Sequence, residues 1–182
     1  MPQTLPILTL GDPRLRSVAQ PVEQFDGRLQ QLINNLRWTA KQTNGVGIAA
    51  PQVGVPQRLF IVASRPNLRY PDAPRMAPTA MINPRIMAHG EAQTMGWEGC
   101  LSVPDQRGQV ERYTEIEVEY CDRHGHLRRR VLTGFVARIF QHELDHLEGT
   151  VFVDRVAAPH TLLTEAEYFA QLTTIPATPA SG

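Results

Sequence analysis

The stretch Gln141-His142-Glu143-Leu144-Asp145-His146 decides how the rest of the chain is read. His142 and His146 stand one helical turn apart, so on a helix both imidazoles project from one face and can reach a single metal ion. Glu143, next to the first histidine, is a carboxylate placed to accept a proton from water activated at such a centre. Phe135, Arg138 and Ile139 precede His142 at helical spacing and share its face. With Val46, the apolar pair would line a slot for an aliphatic side chain, and Arg138 would pair with a carboxylate or a substrate backbone. The spacing predicts a helix from about Gly134 to Glu148, stopped by Gly149. Two ligands from this helix leave a third to be found. A third histidine after Gly149 is excluded, because its position holds Phe152. Glu165 or Glu167 downstream and Cys100 upstream both remain open on the residues alone.

Cys100 lies in Trp97-Glu98-Gly99-Cys100-Leu101-Ser102-Val103-Pro104. Glycine before it and proline behind it suit a tight, rigid segment, and a metal would stabilise its thiolate. A second small-residue stretch is Gly45-Val46-Gly47-Ile48-Ala49-Ala50-Pro51-Gln52. Such residues let a backbone approach a ligand closely, and the Gln52 amide can donate to a developing oxyanion. No strand is expected before this stretch and no lysine follows it, so a phosphate-binding loop is not indicated. Cys121, His124 and His126 form a Cys-x-x-His-x-His pattern, but in a short inter-strand turn that cannot readily wrap three ligands round one ion.

Working outward, Leu29, Leu32, Ile33, Leu36 and Ala40 recur on one helical face and predict an amphipathic helix over about 24–43. Asp12-Pro13 predicts a single turn at Arg14–Val18, and residues 45–57 read as a loop. Strands are expected at 58–64, 79–89, 91–97, 109–121 and 126–132, with a turn at Asp122–His126. Residues 65–78, with four prolines and three arginines, read as a surface loop at the substrate rim. A last helix is expected near Thr164–Leu172, where Thr164 and Glu167 can form a capping box. Helix, antiparallel strands, helix is an α+β order: antiparallel sheets packed around a central metal-binding helix, with an N-terminal amphipathic helix and a short C-terminal one.

The 182 residues, 42% of them hydrophobic, suit one domain, taken as 1–172 with a tail at 173–182. No apolar run is long enough to span a membrane. The 18 positive and 18 negative charges balance, which argues against a general nucleic-acid binder. Two cysteines are too few for a disulfide scaffold, and Met1–Leu10 resembles no secretion signal, so a cytoplasmic setting is expected. A Cys100–Cys121 disulfide would consume the candidate ligand.

The three stretches, in this order, resemble the three motifs of the peptide deformylases: Gly45–Gln52, Glu98-Gly99-Cys100-Leu101-Ser102 and Gln141–His146. The resemblance spans roughly residues 5–155. It implies an enzyme that removes the formyl group from the N-terminal formyl-methionine of nascent proteins. It further implies Cys100, His142 and His146 as ligands of one Fe2+, with Zn2+, Ni2+ or Co2+ as substitutes. Glu143 would be the general base, and Gln52 and the Leu101 backbone N–H would face the oxyanion. Val46, Gly47, Glu98, Gly99, Phe135 and Ile139 would contact the substrate. Some members carry a basic C-terminal helix that docks on the ribosome. Past Arg155 this chain has neither Lys nor Arg, so ribosome contact through the tail is not expected, leaving at most a transient contact elsewhere.

Overall fold

A computed structural model describes residues 1–156, 158 and 161–174. His160 and residues 175–182 of the expected tail lie outside the described residues.

The chain is α+β. A five-stranded sheet has the order β1 (Gly47–Ala49), β2 (Leu59–Val62), β3 (Thr79–His89), β6 (Glu115–Cys121), β7 (Leu127–Thr133). A three-stranded sheet is built from β4 (Gln93–Cys100), β5 (Val103–Tyr113) and β8 (Leu162–Thr164). All paired strands are antiparallel. The helices are α1 (Gly27–Gln42), α2 (Gly134–Leu147) and α3 (Glu165–Thr174).

Strand β2 explains the layering. All four of its residues are buried, because helices cover both faces of its sheet. Leu59 and Ile61 pack with Ile33, Leu36 and Ala40 of α1. Phe60 and Val62, pointing the other way, pack with Ala137, Phe140 and Leu147 of α2. Phe60 and Phe140 meet edge to face with ring centres 5.1 Å apart.

Helix α1 is shorter than its apolar periodicity suggests. Asp26 accepts a hydrogen bond from the Leu29 backbone and caps it, so residues 24–26 stay outside. The turn expected at Arg14–Val18 is a 3-10 turn at Pro13–Arg16, capped by Asp12. The run 109–121 is not one strand. It breaks at Thr114, and β5 and β6 belong to different sheets. The 45–57 loop contains β1 and a 3-10 turn at Ala50–Val53. The strand character of β1 comes from pairing with β2 rather than from its small residues. The capping box of α3 forms: Thr164 N–H donates to Glu167 Oε2 at 2.7 Å, and Glu167 N–H to Thr164 Oγ1 at 3.2 Å.

Helix α2 ends where Gly149 adopts φ +71, a left-handed turn that glycine makes without strain. A Cβ there would also overlap the backbone of Arg16. The N-terminal segment lies against this helix end and against the stretch around Gln52. Ala19 N–H donates to Leu147 O at 2.8 Å, Leu8 N–H to Gln52 O at 2.8 Å, and Leu10 N–H to Ser102 O at 2.7 Å.

Candidate metal centre

Helix α2 presents His142 and His146 toward the end of β4, where Cys100 sits. One ligand atom from each of the three lies within 4.8 Å of the others. Cys100 Sγ and His146 Nε2 are 3.2 Å apart. The Gln52 amide and the Ser102 backbone N–H both reach Cys100 Sγ at 3.4 Å, so the sulfur accepts two further donors. Burial pushes the Cys100 thiol up, but the His146 and His142 rings outweigh it and bring it down to about 5. The donor set, one soft thiolate and two imidazoles, is that of a catalytic metal site with one position left open. One buried atom fits the same reading: Glu143 Oε2, beside the cluster, has no hydrogen-bond partner among the described residues.

His142 is held from behind. Its Nδ1 lies 2.9 Å from Glu98 Oε2. An ionised carboxylate can only accept, so Nδ1 carries the proton and Nε2 is left with its lone pair for a metal. Glu98 is 3% exposed and is gripped on both oxygens. Arg112 donates to Oε1 and Oε2 at 2.9 Å each, and Arg138 to Oε1 at 2.9 Å. Burial alone would raise the Glu98 carboxyl, yet His142 and Arg112 hold it well below the ordinary carboxylate range. Arg112 also reaches Asp145 Oδ2 at 2.7 Å, and Arg155 closes the network on the same carboxylate at 2.6 Å.

These contacts bear on two of the expected substrate residues. Glu98 lines the pocket, and its carboxylate oxygens are bonded within the protein to Arg112, Arg138 and His142. Arg138 finds a carboxylate, as its place on the helix face predicts: besides Glu98 it donates to Val110 O and Thr94 O, at 2.8 Å each, and ties α2 to the second sheet.

Glu143 has the opposite surroundings. It is 4% exposed and lies against Gly47, where any Cβ would overlap its carboxylate. That close approach is the physical reason for glycine at this position. Burial raises the Glu143 carboxyl to about 7, against the opposing pull of the two histidines.

Val46, Gly47, Gln52, Glu98, Gly99, Leu101, Phe135, Ile139, His142 and Glu143 all line one pocket with Cys100. The Gln52 side chain is fixed: its Oε1 accepts from Ala49 N–H at 2.8 Å and its Nε2 donates to Ser102 Oγ at 3.1 Å. Asn44, Arg69, Tyr70 and Arg107 also line the pocket and carry no local motif that would have marked them. Glu165 and Glu167, the alternative third ligands, are engaged elsewhere: Glu165 with Arg69 and Arg107, Glu167 in the α3 cap. Among the described residues, Cys121, His124 and His126 form no metal-ligand group. Both cysteines are free thiols.

A family model described as polypeptide deformylase matches residues 4–161. Peptide deformylase 2 of Nostoc sp. is 58% identical over 168 residues, covering 92% of this chain and 94% of that protein. Peptide deformylase 2 of Shewanella oneidensis is 46% identical over 163 residues, covering 90% of each. Among solved structures, a Met-Ala-Ser-bound class I type b peptide deformylase from Acinetobacter baumannii superposes with TM-score 0.84 at 47% identity, covering 86% of this chain and 100% of that one. The motif order, the Cys100/His142/His146 cluster and these likenesses lead to one conclusion: the chain belongs to the polypeptide deformylase family.

Proposed function

We propose that this chain removes the formyl group from N-formyl-methionyl peptides, working through Cys100, His142, His146 and Glu143, with Gln52 and Leu101 beside them. The observation that carries this reading is the convergence of one thiol and two imidazoles, with a buried carboxylate of raised pKa beside them. Cys100 Sγ and one ring nitrogen from each histidine would hold a single metal ion. Iron(II) is the proposed native ion because the family resemblance implies it; the thiolate and two imidazoles would also accept zinc, nickel or cobalt. When bound, the ion supplies Lewis acidity to water and to the formyl carbonyl.

The chain's own residues do the rest. Glu143, raised to about 7, takes the proton of the attacking water and delivers it to the leaving amine. The products are formate and a free N-terminus. Gln52 is held by Ala49 N–H on its Oε1 and by Ser102 Oγ and Cys100 Sγ on its Nε2, so the Nε2 proton now aimed at Cys100 Sγ is the one it would turn to the oxyanion. The Leu101 backbone N–H is the second proposed donor. Val46, Phe135 and Ile139 provide the apolar slot for the methionine side chain. Gly47, on the outer strand of its sheet, and Gly99 offer backbone to an extended peptide.

Residues 1–172 are read as one catalytic domain around α2. No described helix is long and apolar enough to cross a membrane. The proposed setting is the cytoplasm, where nascent chains and reduced thiols are found.

The test is formate release from a short formyl-Met peptide, on protein purified without oxygen and assayed for metal on the same sample. Release with about one metal ion per chain supports the reading, and loss of activity in air would favour iron beside a thiolate. A folded, metal-loaded protein that releases no formate would overturn it.

A further inference from the structure

At the mouth of the pocket, the proline- and arginine-containing segment 65–78, the start of β5 and the first turn of α3 meet on one carboxylate. Arg69 Nε donates to Glu165 Oε1 at 2.8 Å, and Arg107 Nη2 approaches the same oxygen at 3.3 Å. Arg107 is a built feature, its side chain only 3% exposed. Its guanidinium lies 5.3 Å from the Tyr70 ring centre and 5.5 Å from that of Tyr168, and it donates to Tyr70 Oη at 2.9 Å. Gly99 makes room for it, since a Cβ there would sit 2.7 Å from the guanidinium carbon. Tyr70 in turn packs on Phe135, with ring centres 4.7 Å apart, so the cluster is continuous with the apolar slot. Tyr168 packs on Trp97 of β4 and holds α3 in place.

Arg69 and Arg107 line the catalytic pocket. With Gly99, Cys100, Leu101 and Glu165 they also line an adjoining groove along the first residues of β5. The two pockets share Gly99, Cys100 and Leu101, so a peptide with its formyl end at Cys100 and its methionine in the slot would have this groove open to its following residues. The second and third residues of the substrate therefore pass two guanidinium groups whose shared counter-ion belongs to the enzyme.

We propose that Glu165 is a specificity-determining residue that occupies the Arg69–Arg107 pair and keeps it from selecting substrates with an acidic second or third residue. Two arginines without a carboxylate form a fork for one, with charge-assisted hydrogen bonds left unmade. An Asp or Glu of the peptide would take the place of Glu165 Oε1. With Glu165 present, that side chain must displace an intramolecular partner, and the enzyme accepts nascent chains whatever follows the methionine. This inference rests on the deformylase reading of the pocket.

The experiment compares the metal-loaded wild type with Glu165→Gln on formyl-Met peptides carrying Asp, Asn or Lys at the second or third position. The readout is the ratio of kcat/KM for Asp over Asn, which is insensitive to a general loss of rate. The ratio is expected to rise about three- to tenfold in Glu165→Gln at one of the two positions, mainly through KM. It should shrink in about 0.5 M salt and fall back when Arg69→Gln is added. The Lys peptides should move the other way. An unchanged ratio at both positions overturns the proposal, and so does an equal loss on Asp and Asn peptides, which would mean only that α3 has loosened. Calorimetric binding of the unformylated Met-Ala-Asp and Met-Ala-Asn peptides reads the same ratio without turnover. Absence of formate release from every peptide by the wild type would refute the deformylase reading and leave this second ratio to decide the role of Glu165.

Discussion

On the β4 wall of the pocket, Glu98 is bonded to two arginines and a histidine and stays ionised. Across the pocket, on α2 and against Gly47, Glu143 is equally buried, one of its oxygens has no partner, and its carboxyl is raised to about 7. The two carboxyls are the same functional group at similar depth, and their neighbours push them in opposite directions. The β4 wall supplies fixed negative charge that orients a ligand. The α2 wall supplies a group that can exchange a proton near neutral pH. Pairs of carboxyls driven apart in this way are how a site divides holding from proton transfer.

The sharpest way to break this comparison is to delete the proton carrier. Glu143→Ala should keep its metal and fold while kcat falls by about 10³-fold or more. Near wild-type turnover in that variant would remove Glu143 from its role. Deleting the holder should act differently. Glu98→Ala leaves Arg112, Arg138 and His142 facing a buried gap, with an expected cost of about 3–5 kcal/mol in urea unfolding. Metal affinity should fall about 10- to 100-fold by competition with a chelator, because His142 loses its orienting partner. A variant as stable as wild type that binds metal equally well would contradict the bracing role.

The pH dependence of kcat/KM sharpens the same contrast. Glu143 works as a base only when deprotonated, so activity should fall tenfold per unit as pH drops below its pKa. The acid limb should lie at or below about 7, since a bound cation adds to the pull of the histidines on this carboxylate. A limb well above that value would point to a different titrating group. The smallest effect is expected on the outer sheet face. Glu119 there is shared by Arg85 and Arg129, whose side chains are 63% and 64% exposed. Arg85→Ala should cost less than about 1 kcal/mol in the same unfolding measurement, because water screens the pair and Arg129 remains. A loss as large as that of Glu98→Ala would mean that the exposure of the arginines is not what separates the two networks, since the Glu98 and Glu119 side chains are both 4% exposed.

What could be read from the sequence was local. His142, Glu143 and His146 sit on one helix, and helical periodicity alone places them together. The turn at Asp122–His126 and the α3 capping box are likewise short-range patterns. Cys100 and Gln52 are chemically suitable on the residues alone, but the resemblance to a known family is what selects Cys100 over Glu165 and Glu167 as the third ligand. The bracing of His142 was not legible, since Glu98, Arg112, Arg138 and Asp145 meet across β4, β5 and α2 and no spacing marks them as partners. Strand β1 was missed for a related reason: three small residues next to glycine look like a loop until β2 pairs with them. Arg69, Tyr70 and Arg107 show the same limit at the rim, where residues far apart in the chain converge on Glu165.

The closure of α2 on the N-terminal segment has a consequence for the order of assembly. Ala19 bonds Leu147, the Arg16 backbone fills the space beside Gly149, and the Arg16 side chain pairs with Asp154. The segment before α1 thus seats the end of α2, far along the chain. Leu8 and Leu10 bond Gln52 and Ser102, but the contacts of Arg16 and Ala19 cannot exist until α2 has formed. Long-range closure of this kind slows folding relative to local contacts, and it couples the two ends of the domain in a single late step. The helix that carries His142, Glu143 and His146 is therefore seated at its C-terminal end only once the segment before α1 has closed on it.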